Sequence, residues 1–112
     1  MTVHTLKLAD VPFRAIAGGK KVIESRLYDE KRQAIRLGDE IQFINREKSE
    51  ETVTGEVIGL LRYQTFRELF EHNDPSKFDG PSVDWLLNQI SEFYSEENQQ
   101  EDGVVGIEFK LK

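Results

Sequence analysis

The segment Gly19-Lys20-Lys21-Val22-Ile23-Glu24-Ser25-Arg26-Leu27-Tyr28-Asp29-Glu30-Lys31-Arg32 decides how the chain is read. The glycine pair Gly18-Gly19 stops whatever element precedes it. Val22 and Ile23 favour a strand. Residues two apart on a strand share a face, so Glu24 and Arg26 point the same way. Lys21 falls on the opposite face unless a turn or bulge at Gly19 resets the start of the strand. A carboxylate between two cations is held ionised by them, and the group suits an anionic or polar ligand. A solvated strand edge with incidental ion pairs fits the same spacing and is the commoner arrangement. Exposed pairs of that kind contribute roughly 0–1 kcal/mol.

Upstream of the segment, Thr2 to Leu8 alternates, with His4, Leu6 and Leu8 on one face, and reads as a first strand. His4 has no second histidine or carboxylate at ligand spacing, so it reads as a partly buried strand residue. Asp10 is placed to cap a short helix with Pro12 in its first turn. Phe13, Ile16 and Ala17 form its apolar face, and Gly18-Gly19 end it.

Downstream, Asp29 to Ile35 is a polar helical turn, and Leu37-Gly38-Asp39 is a turn before a strand over Glu40 to Asn45. Ile41 and Phe43 share a face of that strand. Arg46 to Glu51 is a hairpin loop. Thr52 to Arg62 is a long strand with Val53, Val57 and Leu61 on one face, together with Gly55 and Gly59. Glycines inside a strand predict bulges or curvature, as closing a small barrel requires.

Thr65 and Glu68 form a capping box for a helix whose inner face holds Phe66, Leu69 and Phe70. Asn73 to Pro81 is a loop. Ser82 caps a further helix, along which Val83, Leu86, Leu87, Ile90 and Phe93 make one apolar stripe. Trp85 lies off its centre, at a packed rim or as a stacking surface for a base. Phe93 to Asp102 is an acidic loop. Gly103 to Lys112 is the last strand, with Val105, Ile107, Phe109 and Leu111 facing the core. This order of elements predicts an α+β domain.

The opening segment, followed by Gly38-Asp39-Glu40-Ile41-Gln42-Phe43, resembles the ASCH (activating signal cointegrator homology) domain. That family's pattern runs Gly-x-Lys-x-x-Glu-x-Arg-Leu, a short basic linker, then Gly-Asp-x-Ile-x-Phe. Phe93-Tyr94-Ser95-Glu96 and Gly103-Val104-Val105-Gly106-Ile107 resemble its closing segment. The resemblance implies a single ASCH domain over residues 1–112. Its fold is then a small PUA-like mixed β-barrel flanked by about three short helices. It also implies RNA or modified-nucleotide binding. Some members are similar to amidohydrolases that deacetylate acetylcytidine, and others are linked to ribonuclease activity.

The amidohydrolase members look to use a lysine, a hydroxyl residue three positions later and a distant glutamate. Lys21 matches the lysine, but Glu24 stands where the hydroxyl belongs. A different use of the pair is open: Lys21 holding a polarised oxygen while Glu24 directs a water as general base. Ser95 is the best substitute hydroxyl, although a serine needs an activating base in reach. Tyr94 either stacks on a base or plugs the barrel end. As a binding site, Lys20, Lys21, Arg26, Lys31 and Arg32 meet phosphates, Glu24 accepts from an exocyclic amine, and an aromatic stacks.

Composition narrows the choices. With no cysteine and two histidines in 112 residues, no disulfide, thiol nucleophile or histidine-rich metal site is expected, and no cofactor. No apolar run approaches the ~18 residues that span a bilayer. The N-terminal residues lack the layout of a signal peptide, so a cytoplasmic protein is the default expectation. Net charge is −6, yet residues 1–48 carry +3 and residues 49–112 carry −9. The basic half suits an anionic ligand, and two plainly soluble faces would have the same charges. Three readings follow: a binding module for RNA or a nucleotide, a hydrolase of RNA or a modified nucleoside, and a protein-interaction domain using the acidic helical half. The first needs only residues already in view.

Overall fold

The computed structural model describes residues 2–112. Five strands are built where the apolar alternation falls: β1 (Val3–Leu8), β2 (Ile23–Leu27), β3 (Glu40–Asn45), β4 (Thr52–Tyr63) and β5 (Val104–Leu111). They form one sheet in the order β1-β3-β4-β5-β2. β1 runs parallel to β3, and every other ladder is antiparallel. The sheet curls into a PUA-like half-barrel, and no ladder joins β1 to β2 among the described residues. The opening between those edge strands is where the barrel expected from sequence stops short of closure.

The inner face collects one apolar residue set from nearly every strand. Leu6, Leu8, Ile41, Phe43, Val57, Val105, Ile107 and Phe109 are buried there, sealed by Phe13 and Ile16 of helix α1 (Asp10–Ala17). The rings of Phe43 and Phe109 meet at 4.7 Å between centroids. The outer face carries a second core. Ile23 and Val104 are covered by Phe66, Leu69 and Phe70 of α3 (Phe66–Glu71), Phe78 of a 3₁₀ turn (Pro75–Phe78), and Leu86 of α4 (Val83–Ile90). Each such side chain contributes roughly 1.5–3 kcal/mol by leaving water. Because the sheet is buried on both faces, β5 reads almost continuously apolar instead of alternating with polar residues.

Several expectations are corrected by local geometry. Ala9, not Asp10, is the N-cap of α1; Asp10 lies inside the first turn, where it accepts from Asn45 Nδ2 at 2.9 Å and pairs with Arg14. Ala17 is exposed, and Ala15 takes its place on the buried face. The long strand β4 breaks register between Val57 and Gly59. This bulge leaves Ile58 exposed and turns Leu60 inward, so Leu61 joins the outer core instead of sharing a face with Val57. A side chain at position 59 would put its Cβ 2.8 Å from Glu108 Oε1 and 3.2 Å from Glu108 Cβ, so the glutamate opposite would have to give way.

The described residues form five α-helices where about three were expected, because α2 (Glu30–Gln33), read as a helical turn, and α5 (Glu96–Asp102) are both helical. The segment expected to be an acidic loop folds as α5 because Ser95 and Asn98 form a capping box. Helix α4 ends at Ile90, so Phe93 loses helical register with the stripe and is 71% exposed. Only Leu86 of that stripe is fully buried, and Trp85 stays on the rim at 42% exposure. None of these helices is long and apolar enough to cross a membrane.

Candidate functional site

Strand β2 pairs Glu24 with Ile107 and Arg26 with Val105. Both partners belong to the inner core, so Glu24 and Arg26 project onto the inner face, beside the open edge. Lys21 reaches the same place by way of the helix before it. Gly19 takes φ +79°, and the N–H groups of Lys20 and Lys21 both donate to the carbonyl of Ala15, at 2.9 and 3.1 Å. A left-handed turn of this kind suits glycine. It removes Lys21 from the strand's alternation and lets its ammonium approach from the helix end.

The three side chains form one cluster. Glu24 is 4% exposed. Its Oε1 accepts from Lys21 Nζ at 2.7 Å and from the Ser25 N–H at 3.2 Å. Its Oε2 accepts from Arg26 Nη2 at 3.0 Å and Nε at 3.3 Å. Burial alone would push the Glu24 carboxyl upward; Lys21 and Arg26 more than offset it and hold the group down at about 2. Arg26 is raised above its ordinary value: burial opposes its charge, and Glu24 outweighs burial, with Tyr94 beside it adding to the effect. The cluster carries one excess positive charge. Lys21 uses one of its three donors on Glu24, so N–H groups remain for an anion. Lys21 also lines a cavity of about 340 Å³ with Ile16, Ile58 and Phe109.

The other sequence-selected residues divide. Lys20 and Lys31 are exposed. Arg32 folds back on the cap of its own helix, donating from Nη1 to Asp29 Oδ2 at 2.9 Å, and its Nε is buried without a partner. The Tyr94 ring stacks on Phe66 at 5.5 Å in the helical layer. The Ser95 hydroxyl serves as the α5 cap, donating to Asn98 Oδ1 at 3.0 Å and accepting from the Asn98 N–H at 3.2 Å.

A second cavity, of about 590 Å³, was not foreseen from sequence. Tyr28, Arg62, Tyr63, Gln64, Glu68 and Asp102 line it. The Arg62 guanidinium lies 3.9 Å over the centre of the Tyr28 ring. Tyr28 continues the alternation of Glu24 and Arg26 and was within reach of the pattern. Arg62 was not, because the bulge in β4 is what puts it on the inner face, paired with Val105.

Comparison with known proteins agrees with this architecture. The crystal structure of the hypothetical protein PH0355 superposes with a TM-score of 0.85 at 32% identity, covering 100% of both chains. The solution structure of protein PF0455 from Pyrococcus furiosus gives 0.76 at 32% identity, covering 98% of this chain and 97% of that one. The S128A mutant of ZmASCH from Zymomonas mobilis gives 0.64 at 12% identity, covering 97% of this chain and 68% of that one, a likeness of fold alone. No curated protein matches. A family model for the ASCH domain matches residues 6–112, and the chain belongs to that family.

Proposed function

We propose that this ASCH-domain protein, acting as one unit over residues 1–112, binds single-stranded RNA or a nucleotide at the Lys21–Glu24–Arg26 cluster. The observation that carries the reading is the nearly buried carboxylate of Glu24, kept ionised between two cations at the open edge of the half-barrel. Burying three charges is costly, and apolar residues would fill the space as well. The arrangement makes sense where the cations must stand in a fixed geometry with donors left over. Lys20 and Lys31 extend the positive surface to solvent. Tyr94 lies beside Arg26 as the aromatic neighbour.

Titration of a fluorescent single-stranded RNA tests this. Affinity is expected to fall with salt, with a logarithmic slope of about −0.7 per phosphate contact. The Lys20→Ala/Lys31→Ala double variant, which removes no ion pair of the cluster, is expected to bind several-fold more weakly with a shallower slope. Adding Lys21→Ala and Arg26→Ala should abolish binding. A flat salt dependence, or unchanged affinity in the quadruple variant, sinks the reading.

The same geometry speaks against hydrolysis through Glu24. A carboxylate held at about 2 and saturated by four N–H donors is a weak proton acceptor at neutral pH. The Ser95 hydroxyl is occupied by its cap. Chromatography of acetylcytidine incubated with the protein is therefore expected to show no turnover above buffer. Rapid turnover that vanishes in both Lys21→Ala and Glu24→Ala would reverse the conclusion and make the pair a catalytic dyad.

A further inference from the structure

We propose that the cavity between Tyr28, Arg62, Glu68 and Asp102 is a base-binding subsite selective for guanine, an inference that rests on the nucleotide-binding reading above. The cavity supplies three things a guanine base needs. The first is a platform. The Arg62 guanidinium carbon sits 3.9 Å over the centre of the Tyr28 ring, which braces the cation, and Arg62 is exposed, so its guanidinium is available to a base. Bases stack on arginine planes and aromatic rings alike. The second is room, about 590 Å³.

The third is a set of hydrogen-bond acceptors. Thr65 Oγ1 donates to Glu68 Oε1 at 3.3 Å, leaving Oε2 without a donor among the described residues. The Asp102 carboxylate accepts no side-chain or backbone hydrogen bond among them. A carboxylate only accepts. Guanine presents two adjacent N–H donors, N1–H and the N2 amine, on its Watson–Crick edge. Adenine and cytosine pair their one amine with a ring nitrogen acceptor, and uracil flanks its single N–H with two carbonyls. Those acceptors would face the carboxylates unfavourably, so the lining discriminates against all three.

The position also fits. Arg62 and Arg26 both pair with Val105, on opposite sides of β5, and so stand on one face two strand spacings apart, about 10 Å. A base on Arg62 thus leaves its phosphate on the side of the Lys21–Arg26 cations. Glu68 and Asp102 repel that phosphate, which fixes the orientation.

Calorimetric titration of the full chain with GMP, AMP, CMP and UMP decides the matter. GMP is expected to bind at least about fivefold more tightly than the other three. The Glu68→Gln/Asp102→Asn variant should bring the four affinities together. It is expected to fold, because a glutamine oxygen can accept the Thr65 hydroxyl as Glu68 Oε1 does and a neutral residue suits a helix C-terminus better than an anion, and circular dichroism verifies this. Arg62→Ala should weaken all four nucleotides by about tenfold. Lys20→Ala/Lys31→Ala should weaken all four while keeping the ratio. Equal affinities in the wild type, preference for another base, or a guanine preference that survives the double carboxylate variant each overturn the inference. If single-stranded RNA binds with the expected salt dependence and no base preference, this subsite falls alone. If neither RNA nor any nucleotide binds, it falls together with the reading beneath it.

Discussion

Glutamine in place of Glu24 is expected to lower the stability of the fold by about 3 kcal/mol at neutral pH, and the loss should shrink as the solution is acidified. The folded-state value of the carboxyl is about 2, against an ordinary value of 4.5. A group depressed on folding stabilises the native state above its unfolded pKa, and the stabilisation is lost as pH falls through the folded one. The window is therefore pH 4.5 down to about 2. At about 1.4 kcal/mol per pH unit, that gap corresponds to about 3 kcal/mol. The structural argument reaches a similar size independently. Removing one member of a buried ion pair typically costs about 3–5 kcal/mol, because the partner charge is stranded. Lys21 and Arg26 keep 16% and 17% side-chain exposure and can turn partly toward water, which favours the low end.

Urea unfolding of wild type and Glu24→Gln at pH 7 and at pH 2.5 separates this effect from other acid-sensitive groups. Asp10, Asp39 and Asp74 are also depressed, mainly by hydrogen bonds from Asn45, His4 and the Ser76 backbone respectively. They are common to both proteins and cancel in the difference. A stability difference below 1 kcal/mol at pH 7, or one that is constant with pH, would mean that the cluster does not hold Glu24 ionised at the expense of the unfolded state.

The same cluster shows which parts of the molecule are legible in the residues. The shared face of Glu24 and Arg26 follows from strand alternation alone. The meeting of Lys21 with them does not, since alternation puts Lys21 on the other face; it depends on the positive φ of Gly19 and the Ala15 carbonyl. Strand β3 falls at Glu40–Asn45 as read, because polar turns bound it on both sides. Thr65 and Ser82 cap their helices as read, because capping is a local signal. Helix α5 was missed although Ser95 and Asn98 carry the same kind of signal, because asparagine is the less familiar partner in a capping box and the helix buries no residue.

Long-range geometry was the harder part. The glycines of β4 announced a bulge but not its register, and one residue of slip exchanges the inner and outer faces. That slip decides that Leu60 and Arg62 face inward while Leu61 and Tyr63 face the helices. The Tyr28–Arg62 contact, and with it the larger cavity, was thus beyond a reading that placed Leu61 on the inner face. Whether the sheet closes is likewise a property of β1 and β2 together, and neither strand states it alone.

Truncation of Phe66 to alanine is expected to cost about 3–5 kcal/mol. Its ring is fully buried, and it stacks on Phe70 at 6.0 Å and on Tyr94 at 5.5 Å. Its backbone N–H donates to Gln99 Oε1 at 3.0 Å, so the residue also ties α3 to α5. Alanine keeps that backbone bond but leaves a cavity between α3 and the segment carrying Tyr94. Because Tyr94 lies beside Arg26, the loss should reach the basic cluster as well. Phe66→Ala is therefore expected to weaken RNA binding at temperatures where it remains folded. Phe66→Leu, which fills much of the space, should recover most of the stability and less of the binding, since it restores volume without the stack. Phe93→Ala is the matched comparison: that ring is 71% exposed, and its removal should change stability by no more than about 0.5 kcal/mol. Thermal and urea unfolding of the three variants, with RNA titration of each, provide the measurement. A loss below 1 kcal/mol for Phe66→Ala, or an equal loss for Phe93→Ala, would show that the Phe66–Tyr94 stack does not hold the helical layer to the site.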